Sequence, residues 1–117
     1  MAKLYSEMLQ NIDFLELPKE EPYAKSVYWM YSPRVKKNSK ITRDDLCLKL
    51  KEKGVDTRTY FVPLHSQPVL KKSGFSKGSY PVSDDLSSRG FYLPSGLAIT
   101  ERQIRKVVSA IKEISKN

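Results

Sequence analysis

Residues 100–114 predict a capped amphipathic helix with one strongly apolar face. Thr100 and Gln103 stand three positions apart, as in a capping box, which satisfies two backbone N–H groups at a helix start. Apolar residues then recur at the i, i+3, i+4, i+7 spacing of a single helix face: Ile104, Val107, Val108, Ile111 and Ile114. Because such a face has to be covered, the fold needs a sheet or another helix packed against it.

The rest of the chain predicts short helices and strands in alternation. Thr42 is a candidate N-cap, and Gly54 supplies a left-handed residue after the helix that Thr42 begins. Residues 13–22 hold two prolines and four acidic residues, which is typical of a connector. The predicted order is a helix at 3–12, a strand at 27–35, a helix at 42–53, a strand at 55–62, short helical pieces at 66–73 and 81–89, a strand at 91–93 and the helix at 100–114.

This order predicts an α+β fold, arranged as a two-layer sandwich. A small, mostly antiparallel three-stranded sheet would carry helices on one face. The face of the sheet away from the helices is then uncovered, although its strands contain Trp29, Tyr31 and Phe61. We expect an apolar face of that kind to pack on another domain or subunit.

Size and charge limit the classes of protein that this chain fits. Its 117 residues amount to one domain, and a net charge of +8 favours anionic partners. Four cationic residues form a compact basic cluster, which either solvates the surface or binds an anion: Lys36, Lys37, Lys40 and Arg43.

The single Cys47 excludes an internal disulfide, is expected to be a small core residue, and indicates a reducing cytoplasm. No apolar stretch approaches the roughly 20 residues of a membrane span.

The second predicted strand and the turn after it contain the candidate functional side chains. Arg58 and Tyr60 lie two positions apart, so on a strand both point to one face. A guanidinium there grips a carboxylate or phosphate with two parallel hydrogen bonds, unless it forms a structural ion pair with Asp56 or Glu52. Tyr60 is equally consistent with an aromatic residue that only packs in an interface and does not bind a ligand. His65, the one histidine, lies in a proline-flanked turn, where it either contacts a substrate or caps the loop.

Two further pairs of residues have structural interpretations. Asp84 and Asp85 fit a charge pair at a helix start better than an acid/base dyad. Trp29 and Tyr31 fit a core or interface strand, and a base-stacking platform for nucleic acid is the alternative.

Seven short motifs follow one another along nearly the whole chain. They are Val-Tyr-Trp-Met-Tyr at 27–31, Thr-Arg-Asp-Asp-Leu at 42–46, Gly-Val-Asp-Thr-Arg at 54–58, Pro-Leu-His-Ser-Gln-Pro at 63–68, Tyr-Pro at 80–81, Leu-Pro-Ser-Gly at 93–96 and Thr-Glu at 100–101. Together they resemble the small C-terminal domain of the DegT/StrS family of pyridoxal-phosphate-dependent sugar aminotransferases, which have the aspartate aminotransferase fold, type I. Thr59 is a departure, because the family commonly has proline after the arginine.

The resemblance implies a domain organisation and a reaction. Residues 1–12 would be the end of an interdomain linker helix, and residues 13–117 the aminotransferase small domain. The intact enzyme would transfer an amino group from glutamate or glutamine to a keto-sugar attached to a nucleotide, for amino-sugar or polysaccharide biosynthesis. Substrate-binding roles fall to Arg58, Tyr60 and His65. The catalytic lysine and the pyridoxal phosphate site would lie in a preceding large domain, so this chain alone is expected to hold no catalytic residue, cofactor or metal.

The resemblance also implies partners, and two alternatives remain open beside it. The partners are the cofactor-binding large domain or a companion chain, a nucleotide-sugar, an amino-acid donor and, in the complete enzyme, a second subunit of a homodimer. Neither a membrane nor nucleic acid is expected. One alternative is a basic binding or regulatory module, which requires the basic cluster and the aromatic strand to share one exposed surface. The other is a dimerisation domain that uses the uncovered sheet face.

Overall fold

The computed structural model describes residues 1–74 and 78–116. In this part of the chain the elements follow in this order: α1 Ala2–Leu9, β1 Leu15–Glu16, β2 Arg34–Val35, α2 Arg43–Glu52, β3 Arg58–Thr59, α3 Pro68–Lys72, α4 Pro81–Arg89, β4 Phe91–Tyr92 and α5 Glu101–Ile114. A 3-10 turn, Leu64–Ser66, precedes α3. The predicted α+β class is confirmed. No helix in this part has the length and apolar character needed to cross a membrane.

The strands form two antiparallel two-stranded sheets, and not the single three-stranded sheet that the sequence predicts. β1 pairs with β2, and β3 pairs with β4. Two isolated bridges, Tyr31–Leu93 and Arg34–Gly90, connect the chain around β2 to the chain around β4. The four strands therefore lie side by side in the order β1, β2, β4, β3, with a break in the regular ladder between the middle two.

Backbone conformation explains why the first predicted strand is shorter than expected. Of residues 27–35 only the last two form β2. Tyr28 has a φ of 44°, in the left-handed region that a strand does not contain. Pro33 has no N–H to donate to a ladder. The partner strand β1 lies inside residues 13–22, which the sequence predicts to be a connector.

Helices α1, α2 and α5 and the strands enclose one apolar core. The predicted apolar face of α5 is confirmed, since all five of its residues are buried. Cys47 packs against the same core, as expected, and burial raises the pKa of its thiol. The buried hydrophobic residues of this core are Tyr5, Leu9, Ile12, Leu15, Tyr31, Val35, Leu46, Leu50, Val55, Phe91, Leu93, Ile104, Val107, Val108, Ala110, Ile111 and Ile114.

Tyr31 lies at the centre of this core, so its predicted place on an uncovered sheet face is wrong. Its ring stacks on that of Tyr5, with 4.9 Å between centroids. Its hydroxyl forms a 2.9 Å hydrogen bond with Ser6, and its backbone N–H donates to the Ser95 hydroxyl at 2.8 Å. Tyr5 in turn donates to the carbonyl of Pro94 at 2.9 Å. These contacts fix α1 to the corner that follows β4.

The helix boundaries follow the local signals in the sequence. The Thr42 hydroxyl accepts a hydrogen bond from the Asp45 N–H at 3.2 Å, which confirms it as the N-cap of α2. Gly54 has a φ of 71°, as a left-handed residue after a helix end requires. Thr100 and Gln103 form both hydrogen bonds of the predicted capping box. The helix predicted at 3–12 is shorter than expected, since α1 ends at Leu9, and the helical piece predicted at 66–73 is α3, Pro68–Lys72.

Arg89 ties α4 to the sheet formed by β1 and β2. Its guanidinium donates to the Asp85 carboxylate and to the Val35 carbonyl, and it lies 3.5 Å from the Glu16 carboxylate. Lys37 approaches Asp85 to 3.2 Å from the other side. Hydrogen bonding from Arg89 lowers the pKa of Asp85 to about 2. Asp85 is thus an ionised structural group, but it lies beyond the first turn of α4, which contains only Asp84 of the predicted helix-start pair.

Acid is expected to destabilise the fold through Asp85 as the pH falls from about 4 toward about 2. Because the folded-state pKa of about 2 lies below the ordinary 3.8, this carboxylate stabilises the fold fully above the ordinary value and loses that effect as it is protonated. In urea unfolding followed by circular dichroism, Asp85→Asn should therefore flatten the pH dependence of the midpoint in this range.

The matched control for this prediction is Asp56→Asn, which removes an exposed carboxylate with no ion pair to the described residues. It should leave the pH dependence as in the wild type. Some slope remains in every variant, because hydrogen bonding from Lys53 lowers the pKa of Glu113 as well. Equal flattening by both substitutions would contradict the assignment to Asp85.

Candidate functional site

Arg58 is an exposed cation on β3. Antiparallel pairing with β4 places it opposite Tyr92. Its guanidinium forms no hydrogen bond or ion pair with residues 1–74 or 78–116, so the alternative pairing with Asp56 or Glu52 is not formed there. An arginine without an internal partner retains its bidentate donor pattern for a carboxylate or a phosphate.

Tyr60 shares the face of Arg58, but its hydroxyl is used inside the domain. The hydroxyl donates to the Ser32 carbonyl at 2.6 Å, and burial raises the pKa of the phenol. Its ring stacks on Tyr92, the cross-strand neighbour of Arg58, with 4.8 Å between centroids. The ring also covers Gly90 so closely that a Cβ there would lie 2.5 Å from Tyr60 Cγ. Tyr60 therefore supports this face with its ring.

His65 lies in the 3-10 turn and is held by residues at the start of α4. Its Nε2 is 2.8 Å from Oδ1 of Asp84, and its ring stacks on Tyr80 with 4.7 Å between centroids. Asp84 occupies the first turn of α4, as predicted, and contacts the histidine in addition. With a carboxylate at Nε2, Nδ1 is the ring nitrogen left for a ligand. A groove of about 480 Å³ beside the ring is lined by Leu64, His65, Leu70, Tyr80 and Ser83.

The three predicted site residues lie within residues 58–65, but they pack against two different elements. Arg58 and Tyr60 are held against β4, whereas His65 is held against α4. Gly90 joins α4 to β4, so these two elements are consecutive in the chain. Sequence reasoning missed Tyr92 and Tyr80 as neighbours of these residues. Tyr92 could be identified only from the pairing of β3 with β4. The register of that pairing cannot be read from the local periodicity of either strand.

The basic cluster does not form one anion-binding site. Arg43 points inward and donates to the carbonyls of Ser87 and Gly90 at 3.0 and 3.2 Å. Lys37 is paired with Asp85. The two remaining lysines of the cluster line a separate groove of about 1030 Å³ between the 36–41 loop and α2. The cluster therefore has structural as well as solvating roles.

Exposed apolar side chains concentrate in two stretches of the described chain. Trp29 and Phe61 are 68% and 70% exposed, but neither lies in a strand, so they do not form the uncovered sheet face that the sequence predicts. Since Tyr31 is buried and Arg43 points inward, the joint surface that the nucleic-acid alternative requires is not formed. The exposed apolar residues of these two stretches are Tyr23, Val27, Trp29, Phe61, Val62, Leu64, Val69, Tyr80 and Val82.

The arrangement of α1, the paired strands and α5 is the fold of one part of an aminotransferase. The crystal structure of a DegT DnrJ EryC1 StrS aminotransferase from Brucella abortus matches it with a TM-score of 0.80 at 28% identity, over 99% of this chain and 30% of that chain. The profile of the DegT/DnrJ/EryC1/StrS aminotransferase family matches residues 1–112, and the chain belongs to this family. The resemblance inferred from the seven motifs is thus confirmed.

Curated relatives show the same partial coverage. A pleiotropic regulatory protein of Geobacillus stearothermophilus is 32% identical over 96% of this chain and 30% of its own length. A GDP-perosamine synthase of Vibrio cholerae is 26% identical, again over 96% of this chain and 30% of its own length. The chain therefore spans about 30% of the length of these relatives. The comparisons give no support to the alternatives of a binding module or a dimerisation domain.

Pyridoxal phosphate is the cofactor that this family implies, and the described residues do not fit it by themselves. Its chemistry needs a lysine held in a pocket that excludes water. Every lysine in residues 1–74 and 78–116 is exposed. In the same part of the chain, no buried side-chain nitrogen or oxygen lacks a hydrogen-bond partner. The described part therefore contains no lysine in the water-excluding pocket that this chemistry needs.

Proposed function

We propose that this chain is the C-terminal small domain of a pyridoxal-phosphate-dependent nucleotide-sugar aminotransferase. The family match over residues 1–112 is the observation that carries this proposal, and the GDP-perosamine synthase relative supports a nucleotide-sugar as substrate. Residues 1–12 then end the helix between the domains, and residues 13–117 form the small domain. The reaction would move an amino group from glutamate or glutamine to a keto-sugar for amino-sugar or polysaccharide biosynthesis.

In this proposal, the cofactor and the lysine that reacts with it belong to a large domain or a companion chain. This division assigns only substrate binding to the present chain. The exposure of every lysine in the described part supports this division, because cofactor chemistry of this kind needs a lysine in a pocket that excludes water. A surface against which such a partner would pack is provided by exposed apolar side chains: Phe61, Val62, Leu64, Val69, Tyr80 and Val82. In the complete enzyme two copies would form a homodimer.

The substrate-binding roles proposed for this chain belong to Arg58 and His65, with Tyr60 as their support. Arg58 offers two parallel N–H groups to the carboxylate of the amino donor or to a phosphate of the nucleotide-sugar. His65 offers Nδ1 to a substrate hydroxyl, because Asp84 occupies Nε2. Tyr60 holds the surface of β4 beside Arg58 through its stacked ring. Covering these groups with a second domain would exclude water and strengthen each interaction.

Arg58→Gln is expected to weaken binding of L-glutamate or of GDP to this chain by about tenfold or more, because the charged bidentate contact is lost. The measurement is a titration of the ¹⁵N-labelled protein followed by chemical shifts of backbone amides and of the arginine Nε–H groups. A saturable shift centred on β3 and β4 is the expected wild-type result.

The matched control is Arg102→Gln on α5, which removes one positive charge from an exposed arginine that has no partner among the described residues. It should leave both affinities unchanged to within about twofold, the range expected from a single remote surface charge. Equal weakening by the two variants would show nonspecific attraction to the net positive charge. Absence of any saturable shift in the wild type would contradict the substrate-binding role of Arg58.

A further inference from the structure

We propose that Tyr92, and not Tyr60, presents the phenolic hydroxyl beside Arg58, and that the two side chains form an oxyanion subsite. The ligand is an oxyanion in chemical terms, either a carboxylate or a phosphate. This inference rests on the proposed substrate-binding role of Arg58. It adds a residue that none of the sequence motifs identified as functional.

Strand register places the two side chains together. Arg58 and Tyr92 are direct partners in the antiparallel β3–β4 pair. Residues directly opposite each other in such a pair point to the same face, with Cβ atoms about 4.5–5.5 Å apart. Because both side chains are long, their polar ends reach a ligand above that face together.

The two stacked tyrosines, Tyr60 and Tyr92, differ in the hydrogen bonding of their hydroxyl groups. The Tyr60 hydroxyl is bonded to the Ser32 carbonyl at 2.6 Å and is therefore not available to a ligand. The Tyr92 hydroxyl forms no hydrogen bond with residues 1–74 or 78–116. A donor left without an internal partner at a half-buried position is the one that a ligand can satisfy.

Neighbouring rings hold Tyr92 in place before any ligand arrives. Tyr60 stacks on one side at 4.8 Å between centroids, and Phe61 lies tilted at 6.0 Å. A side chain that is already ordered loses little conformational entropy on binding. The tyrosine contributes one O–H donor and the guanidinium two N–H donors, a set that matches the lone pairs of a carboxylate or phosphate.

Paired phenylalanine substitutions test this assignment, because each removes one hydroxyl and keeps the stacked rings. Tyr92→Phe is expected to weaken binding of the oxyanion probe by about threefold to tenfold, with an unchanged unfolding temperature. Tyr60→Phe is expected to lower the unfolding temperature by roughly 4 °C, because the bond to Ser32 is lost, and to weaken binding less than Tyr92→Phe does. Tyr23→Phe, at a tyrosine that is 88% exposed, should change neither quantity.

The probes are L-glutamate, which carries carboxylates, and GDP, which carries phosphates. An effect of Tyr92→Phe on glutamate alone assigns the subsite to the amino donor, and an effect on GDP alone assigns it to the nucleotide; either result supports the proposal. Normal binding by Tyr92→Phe together with weakened binding by Arg58→Gln would overturn the role of Tyr92 and leave that of Arg58. A larger loss of affinity in Tyr60→Phe would assign the hydroxyl to Tyr60. No binding of either probe by the wild type would overturn both roles.

Discussion

Replacing Tyr5 with alanine is expected to lower the free energy of unfolding by about 3–5 kcal/mol, the range for removal of a large buried aromatic ring. The side chain is fully buried and stacks on Tyr31 at 4.9 Å between centroids. Its hydroxyl donates to the Pro94 carbonyl at 2.9 Å. The substitution thus removes apolar contacts, a ring pair and one hydrogen bond at the same place. Urea unfolding followed by circular dichroism measures the effect.

Two control substitutions separate the parts of this effect. Tyr5→Phe keeps the ring and loses only the hydroxyl, so we expect a cost of about 1–2 kcal/mol. Tyr23→Ala changes an exposed tyrosine and should cost less than about 0.5 kcal/mol. A loss for Tyr5→Ala as small as that for Tyr23→Ala would mean that α1 is not docked on the core as described.

Gly90→Ala is expected to destabilise the protein by about 1–3 kcal/mol through overpacking. A Cβ at this position would lie 2.5 Å from Tyr60 Cγ, and it would meet the middle of a ring whose hydroxyl is fixed on Ser32. The backbone at Gly90 has a φ of −84°, which any residue adopts, so the effect is steric and not conformational. The ring has to leave Tyr92, and the surface beside Arg58 changes with it.

A double-mutant cycle with Tyr60→Ala tests this cause directly. Once the ring is absent, the three nearest atoms that the added methyl group would meet are gone, so Gly90→Ala should cost less in the Tyr60→Ala background. The two substitutions are therefore expected to be strongly non-additive, with a coupling of about 1 kcal/mol or more. Additive effects would show that the damage from Gly90→Ala arises elsewhere in the turn between α4 and β4.

Helix boundaries were predictable because their signals are local. Thr42, Gly54 and Thr100 act on backbone groups within a few residues of themselves, and the structure has them as expected. The strands were not predictable in the same way. Each is two residues long, and β1 exists only because its backbone meets β2 about twenty residues later. Tyr28, with its left-handed backbone, ends the apparent strand that its aromatic neighbours suggested.

The candidate site shows the same difference between features that local sequence predicts and features that depend on distant elements. The position of Arg58 and the shared face of Tyr60 follow from the period of a strand, and sequence motifs pointed to His65. The partners of these residues do not follow from any local pattern, because they come from distant elements. Ser32 lies 28 positions before Tyr60, and Asp84 lies 19 positions after His65. A side chain's availability to a ligand depends on such partners, so it required the folded structure.

The attachment of α1 has a consequence for the synthesis of the protein. Tyr5 and the carbonyl that it binds are 89 residues apart. At about 5–20 residues per second, roughly 4–18 s separate their emergence from the ribosome. During that interval Tyr5 does not yet have the Pro94 carbonyl and the neighbouring corner after β4 that hold it in the folded domain. Nascent chains of this protein are therefore expected to engage chaperones until the residues beyond β4 have been made.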